Sequence, residues 1–317
     1  MATQAQPVAL TPPNPMAGVE TACRELMQLR GRPVLVLFYP ATASMSEDDL
    51  EYIYAALRAH GASMESKLPQ LDVLLESYGG HPVAGYRIAQ LIRDLACSVS
   101  FLVPNRAYSA ATLLCLSGDD VRFGHHAGLS PIDISLVSEE DGGRREVELA
   151  NLDGFLEFTK RARTEIERDL ARGACKGRTC VDSDLLVAMV KEVGALQVGK
   201  YFRERTLTGH YAQELLDTYM FSRLPDGVER RNDLIRNLLF NAPAHLFHLD
   251  YHLCLKWKMI VQEMGTDESD RSKKIIQKLE TLMEEGVICF TISRRSRFAF
   301  FGFYPCPPQA LAVGAAS

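Results

Sequence analysis

The sequence predicts an α/β protein, with a helix-covered parallel sheet in its first half and a mainly helical second half. Three observations carry this. Short apolar runs at 34–39 (VLVLFY), 71–76 (LDVLLE) and 99–104 (VSFLVP) suit strands buried on both faces. Helical patterns alternate with them, the order in which parallel strands are joined by crossovers. After Asp133 the apolar runs give way to long amphipathic stretches.

The elements follow in chain order. Residues 1–18, rich in Pro, Ala and Gln without periodicity, are expected to be a disordered tail. The 34–39 strand leads to a helix from Ser46-Glu47-Asp48-Asp49 to about His60, opened by a capping oxygen and an acidic first turn. The 71–76 strand leads to a helix over 82–96, with Ala84, Ile88, Leu91, Ile92 and Leu95 on one face. The 99–104 strand leads to a short apolar helix at 109–116, and a fourth strand follows at 121–123. The charged, Gly-containing segment 138–148 (SEEDGGRREVE) reads as an exposed loop or hairpin. Helices are expected at 152–170, 182–193, 212–221, 229–239 and 273–285, a closing β pair at 287–291 and 297–303, and a frayed end from 306.

Composition narrows the function classes. In 317 residues, 47% hydrophobic and 24% charged side chains are ordinary globular usage, so disorder or a coiled coil does not dominate. A net charge of −5 provides no basic field for a polyanion, and no nucleic-acid partner is expected. Eight scattered cysteines, some within apolar runs such as Cys115, read as reduced core thiols of a cytoplasmic protein. Cys175 and Cys180 form a lone C-x4-C without a second pair, so no metal site is expected there. No apolar run reaches the roughly 20 residues of a membrane span, and the N-terminus lacks the pattern of a signal peptide.

Chemistry concentrates at two strand-to-helix junctions, Glu76-Ser77-Tyr78-Gly79-Gly80-His81 and Asn105-Arg106-Ala107-Tyr108-Ser109-Ala110-Ala111. In a parallel sheet the carboxyl ends of the strands carry the site, which puts both junctions on one edge. Adjacent glycines let backbone N–H groups approach a ligand where a Cβ would obstruct them. Ser109, opening an apolar helix, lies where free N–H groups favour a developing oxyanion, and is a candidate nucleophile. The plainer reading of each is a turn and an N-cap.

The segments LDVLLESYGGHPVAGYRIAQLI (71–92), VSFLVPNRAYSAATLLCLSGDDVRFG (99–124), GLSPID (128–133) and AHLFHLDYHLCLKWKMIV (244–261) together resemble the Clp-protease/crotonase superfamily. Within it they are most similar to the serine dehydrogenase proteinase (SDH_sah) family, related to signal peptide peptidase A and the NfeD-type proteases. The likeness covers about 33–262 and departs from the family pattern at Tyr78, where Pro is usual. It implies a ClpP/crotonase-like β-β-α superhelix over 19–262, a C-terminal helix plus β extension over 263–305 and a disordered end at 306–317. It also implies a cofactor-free serine peptidase acting on polypeptide, with Ser109 as nucleophile and Gly79, Gly80 and Ala110 at the oxyanion hole. Homo-oligomers are common in this superfamily, and the apolar stretch 287–305 is either an interface or core.

The base has two candidates. Clp-type proteases use a His one strand after the nucleophile helix, but the matching place around Ile132-Asp133 holds none. Lys160 falls where relatives carry a Lys, and serves only if burial or the neighbouring Arg161 and Arg163 lower its pKa toward 7–8. His245 matches the family's His in the closing segment and works near its ordinary pKa. Asp133 either braces the base or caps a turn. On a helix His245, His248 and His252 would share a face, though only Asp250 could assist a metal; His125 and His126 read as loop residues. The other function classes are a catalytically inactive peptide-binding or assembly subunit and an acyl-CoA crotonase, for which neither a placed Glu nor an adenine pocket is evident.

Overall fold

The structure, a computed structural model, describes residues 14–59, 61–132, 135–140, 143–148, 164, 168, 195–244, 247–285 and 300–304. The expected helices at 152–170 (apart from positions 164 and 168) and 182–193, the strand at 287–291 and the pair Cys175 and Cys180 lie outside these residues.

Helix α1 (Ala17–Arg30) precedes strand β1 (Val34–Phe38) and begins inside the stretch expected to be a tail. Helix α2 (Asp49–Arg58), strand β2 (Leu68–Glu76), helix α3 (Pro82–Leu95) and strand β3 (Ala96–Val103) follow in the expected alternation. A two-residue strand β4 (Arg106–Ala107) leads into helix α4 (Ala110–Cys115), strand β5 (Asp120–Phe123) and a second short strand, β6 (Gly128–Leu129). The charged segment is a hairpin, β7 (Ser135–Glu140) paired antiparallel with β8 (Gly143–Glu148). Helix α5 (Ala195–Leu215) runs into a π-helical turn at Leu216–Met220, and α6 (Gly227–Arg236) into another at Asn237–Asn241. Helix α7 (Tyr251–Lys256), strand β9 (Val261–Glu263), helix α8 (Thr266–Glu284) and strand β10 (Phe300–Tyr304) complete the described chain.

The central sheet has the order β10-β1-β2-β3-β5-β9, parallel throughout except for β10, which lies antiparallel on β1. The described part of the strand expected at 297–303 therefore extends the main sheet, as β10, instead of closing a separate β pair. Alternate side chains leave a strand on opposite faces, and both faces are covered. Leu35, Leu37, Val73 and Leu75 face a core shared with α2, α3 and α4. Val34, Val36, Phe38 and Leu74 face α1 and α8, meeting Leu26, Ile275 and Leu279. Burial on both sides explains why these strands read as continuous apolar runs.

One charge interrupts that second face. Asp72 is fully buried and is held by Arg30 Nε at 2.7 Å and Arg32 Nη1 at 3.4 Å. Arg30 also reaches Glu268 at 3.4 Å, and Arg122 Nε pairs with the same carboxylate at 2.8 Å. The chain of pairs thus joins α1, β2, β5 and α8 around charges that would be costly to bury singly.

Beyond the carboxyl end of the main sheet, β4 and β6 pair in parallel. Bridges from Ser77 to Ala107 and from Leu129 to Leu249 extend this small layer on both sides. It brings three distant segments together beside Ser109. No helix among the described residues is long and apolar enough to cross a membrane.

Candidate functional site around Ser109

The two junctions are stitched together by their backbones. Ser77 N donates to Arg106 O at 3.1 Å, and Tyr108 N donates to Ser77 O at 3.0 Å. The Gly-Gly turn and the Ser109 turn thus sit side by side at the carboxyl ends of β2 and β3.

Ser109 has φ 53° and ψ −116° and is one of two described non-glycine residues with positive φ, the other being Lys258. These angles match the first central position of a type II′ turn, a place normally given to glycine. Ala111 N closes the turn onto Tyr108 O at 2.9 Å. A non-glycine residue held there costs on the order of 1–3 kcal/mol and persists only where its surroundings impose it. The N-cap reading does not hold, because the Ser109 side chain makes no capping hydrogen bond to α4. The residue is buried, with 9% of its surface exposed.

Gly79 makes room for this turn. A Cβ on Gly79 would lie 2.7 Å from Tyr108 O, 2.9 Å from Ser109 Cβ and 3.4 Å from Ala110 N, and its φ of +108° disfavours any side chain. At Gly80 a Cβ would meet Met45 N at 2.3 Å, where a parallel bridge pins the turn to the residues before α2.

The amides around Ser109 divide into two groups. Gly79 N donates to Ser77 Oγ at 2.9 Å, and Ser109 N donates to Ser130 Oγ at 2.8 Å. Gly80 N and Ala110 N donate to no acceptor among the described residues. Of the three residues expected at the oxyanion hole, Gly79 has its N–H on Ser77 and leaves the space that the Ser109 turn fills.

Ser77, Thr112 and Ser130 carry parts that sequence reasoning did not assign. Thr112 Oγ1 donates to Ala107 O at 2.7 Å and accepts from Ser130 N at 3.1 Å; Ser130 Oγ donates to Pro131 O at 3.0 Å. All three hydroxyl residues are buried. Lone Ser and Thr residues give no spacing signal, and only the expected GLSPID element marked the neighbourhood of Ser130.

The rim is aromatic and charged. Tyr78, 43% exposed, meets Tyr108 edge-on with ring centroids 6.1 Å apart. The Arg106 guanidinium lies 4.7 Å over the Tyr78 ring and also bonds the Tyr78 hydroxyl. Arg106 Nε pairs with Glu76 Oε1 at 2.9 Å, while Glu76 Oε2 accepts from Asn105 Nδ2 at 3.2 Å and Arg106 N at 3.3 Å. Burial pushes the Glu76 carboxyl up to about 7, against the opposing pull of Arg106 and these hydrogen bonds.

Lys160, His245 and Asp133, expected as base or brace, lie outside the described residues. Of the three histidines expected on one helix face, only His252 lies within a helix among the described residues. Leu249 bridges Leu129, and α7 starts only at Tyr251, where Asp250 Oδ1 accepts from Leu253 N at 2.8 Å. His248 therefore precedes the helix, and its exposed ring lies against Gly128. Among the described residues no cluster of three His, Cys, Asp or Glu side chains is arranged to hold a metal ion. His125 and His126 occupy a turn, and His125 Nδ1 is 3.1 Å from Ser269 Oγ on α8.

Comparison of the chain with protein-family models, curated proteins and solved structures returned no match.

Proposed function

We propose that this chain is a serine peptidase that cleaves polypeptide through an acyl-enzyme on Ser109. The Ser109 hydroxyl attacks the scissile carbonyl, and its proton passes to the base, Lys160 or His245 as the resemblance implies. The oxyanion is received by Gly80 N–H and Ala110 N–H. As the C–N bond breaks, the base returns the proton to the leaving amine, and water then hydrolyses the ester by the same route. No cofactor takes part.

The observation that carries this reading is the backbone of Ser109, held at φ 53° between a strand and a helix with its side chain unused as a cap. A serine placed at such cost beside two amides that bond no acceptor among the described residues supports the reading of an activated nucleophile. The succession β3-β4-α4, main strand then minor strand then helix, supports a crotonase-type β-β-α arrangement as its scaffold. A homo-oligomer in the cytoplasm belongs to the same reading.

A fluorophosphonate probe tests it. Covalent labelling of the wild type that disappears in Ser109→Ala is expected; equal labelling of the two proteins overturns the proposal.

A further inference from the structure

We infer that Ser130, itself held by Thr112, is a positioning residue for Ser109: its hydroxyl fixes the nucleophile's strained backbone and withdraws the Ser109 N–H from the oxyanion hole. The inference rests on the reading of Ser109 as nucleophile.

Ser109 opens α4 and Ser130 follows β6, and their link is a buried hydrogen bond of 2.8 Å from Ser109 N to Ser130 Oγ. A residue in a sparsely populated φ/ψ region relaxes unless its neighbours hold it. Here the turn is closed by Ala111 N on Tyr108 O, and the amide of Ser109 itself is caught by Ser130. Ser130 cannot readily turn away. Its own N–H is fixed on Thr112 Oγ1 at 3.1 Å, that hydroxyl donates to Ala107 O at 2.7 Å, and the Ser130 hydroxyl proton is directed to Pro131 O at 3.0 Å. With its proton engaged there, Ser130 Oγ presents a lone pair to Ser109 N. Ser77 Oγ acts in parallel on Gly79 N at 2.9 Å. The two serine oxygens occupy the amides that flank the hole and leave Gly80 N and Ala110 N for an incoming oxygen.

Ser130→Ala removes the acceptor, and Ser117→Ala is the control. Ser117 is equally buried, and its hydroxyl bonds Leu114 O at 2.8 Å at the far, C-terminal end of α4, away from Ser109. With a fluorophosphonate probe at varied concentration, Ser130→Ala is expected to lower the saturating labelling rate by about 10- to 100-fold with little change in half-saturation, as for a small misplacement of a reacting group. Ser130→Thr, which keeps the hydroxyl, is expected to restore most of the rate, and Ser117→Ala to label at the wild-type rate. Thr112→Val, nearly isosteric, is the second variant if Ser130→Ala does not fold, and is expected to slow labelling in the same way. Wild-type rates in whichever of these two variants folds overturn the inference while leaving Ser109 as nucleophile; failure of the wild type to label at Ser109 overturns both.

Discussion

Gly79 and Ser109 are in contact across two βα junctions: a Cβ placed on Gly79 would stand 2.9 Å from the Ser109 Cβ. The approach is possible because one residue has no side chain and the other has accepted a backbone conformation that serine rarely adopts. Consequences for stability, and under the proposed function for activity, follow from this pairing and from the charges around it.

Glycine at position 109 adopts the observed angles without strain, so Ser109→Gly is expected to stabilise the fold while abolishing fluorophosphonate labelling. Relief of 1–3 kcal/mol is offset in part by the added freedom of glycine in the unfolded chain, leaving about 1 kcal/mol, or roughly 2–4 °C in Tm. Thermal unfolding of the two proteins measures this. An unchanged or lower Tm would mean that the turn is not strained.

Gly79→Ala should act in the opposite sense. The new methyl group meets Tyr108 O at 2.7 Å and the Ser109 Cβ, at a φ of +108° that alanine disfavours. A loss of about 2–4 kcal/mol is expected, with labelling of Ser109 lost as its turn is pushed aside. Denaturant unfolding together with labelling checks both; a variant matching wild type in either would show that the junctions separate easily.

The Glu76 carboxyl makes stability depend on pH. Its folded value, about 7, exceeds its ordinary value of 4.5, so between these limits the folded state keeps a proton that the unfolded chain loses. Its contribution is fully present below about pH 4.5 and is lost as the pH rises through about 7. Glu76→Gln cannot titrate, and the difference in unfolding free energy between wild type and variant should move against wild type across that window. A difference flat from pH 4.5 to 7 contradicts the shift.

Farther back along β2, Asp72→Ala is expected to cost about 3–5 kcal/mol, because Arg30 then keeps a largely buried charge with one partner fewer. Combining it with Arg30→Met should recover part of the loss by removing the orphaned charge. Additive losses in this double-mutant cycle would show the pair to be energetically independent.

Much of the fold was legible because the strands are buried on both sides. The runs at 34–39, 71–76 and 99–104 became β1, β2 and β3, and the apolar face at Ala84, Ile88 and Ile92 became the packed side of α3. Helix α1 was missed, although Val19, Ala22 and Leu26 form its buried stripe, because its principal partner, α8, lies some 250 residues along the chain. The helix expected at 212–221 is already helical from Ala195 among the described residues, and its final residues form a π turn whose hydrogen bonding leaves no mark in apolar spacing. The expected placing of His248 and His252 on one helix face fails for a related reason: spacing presupposes an uninterrupted helix, and Leu249 bridges Leu129 before α7 begins at Tyr251.

Residue type alone determined the alternation of strands and helices, the pair of glycines that can tolerate close approach, and the serine at the next junction. These are local properties, written in side-chain apolarity and in the absence of a Cβ. Only the tertiary structure decided that Ser109 has positive φ, that its side chain does not cap α4, and that Ser77 and Ser130 occupy two of the four nearby amides. Those outcomes depend on the register in which Ser77, Ala107, Leu129 and Leu249 are laid side by side, and register is set by packing between segments far apart in sequence.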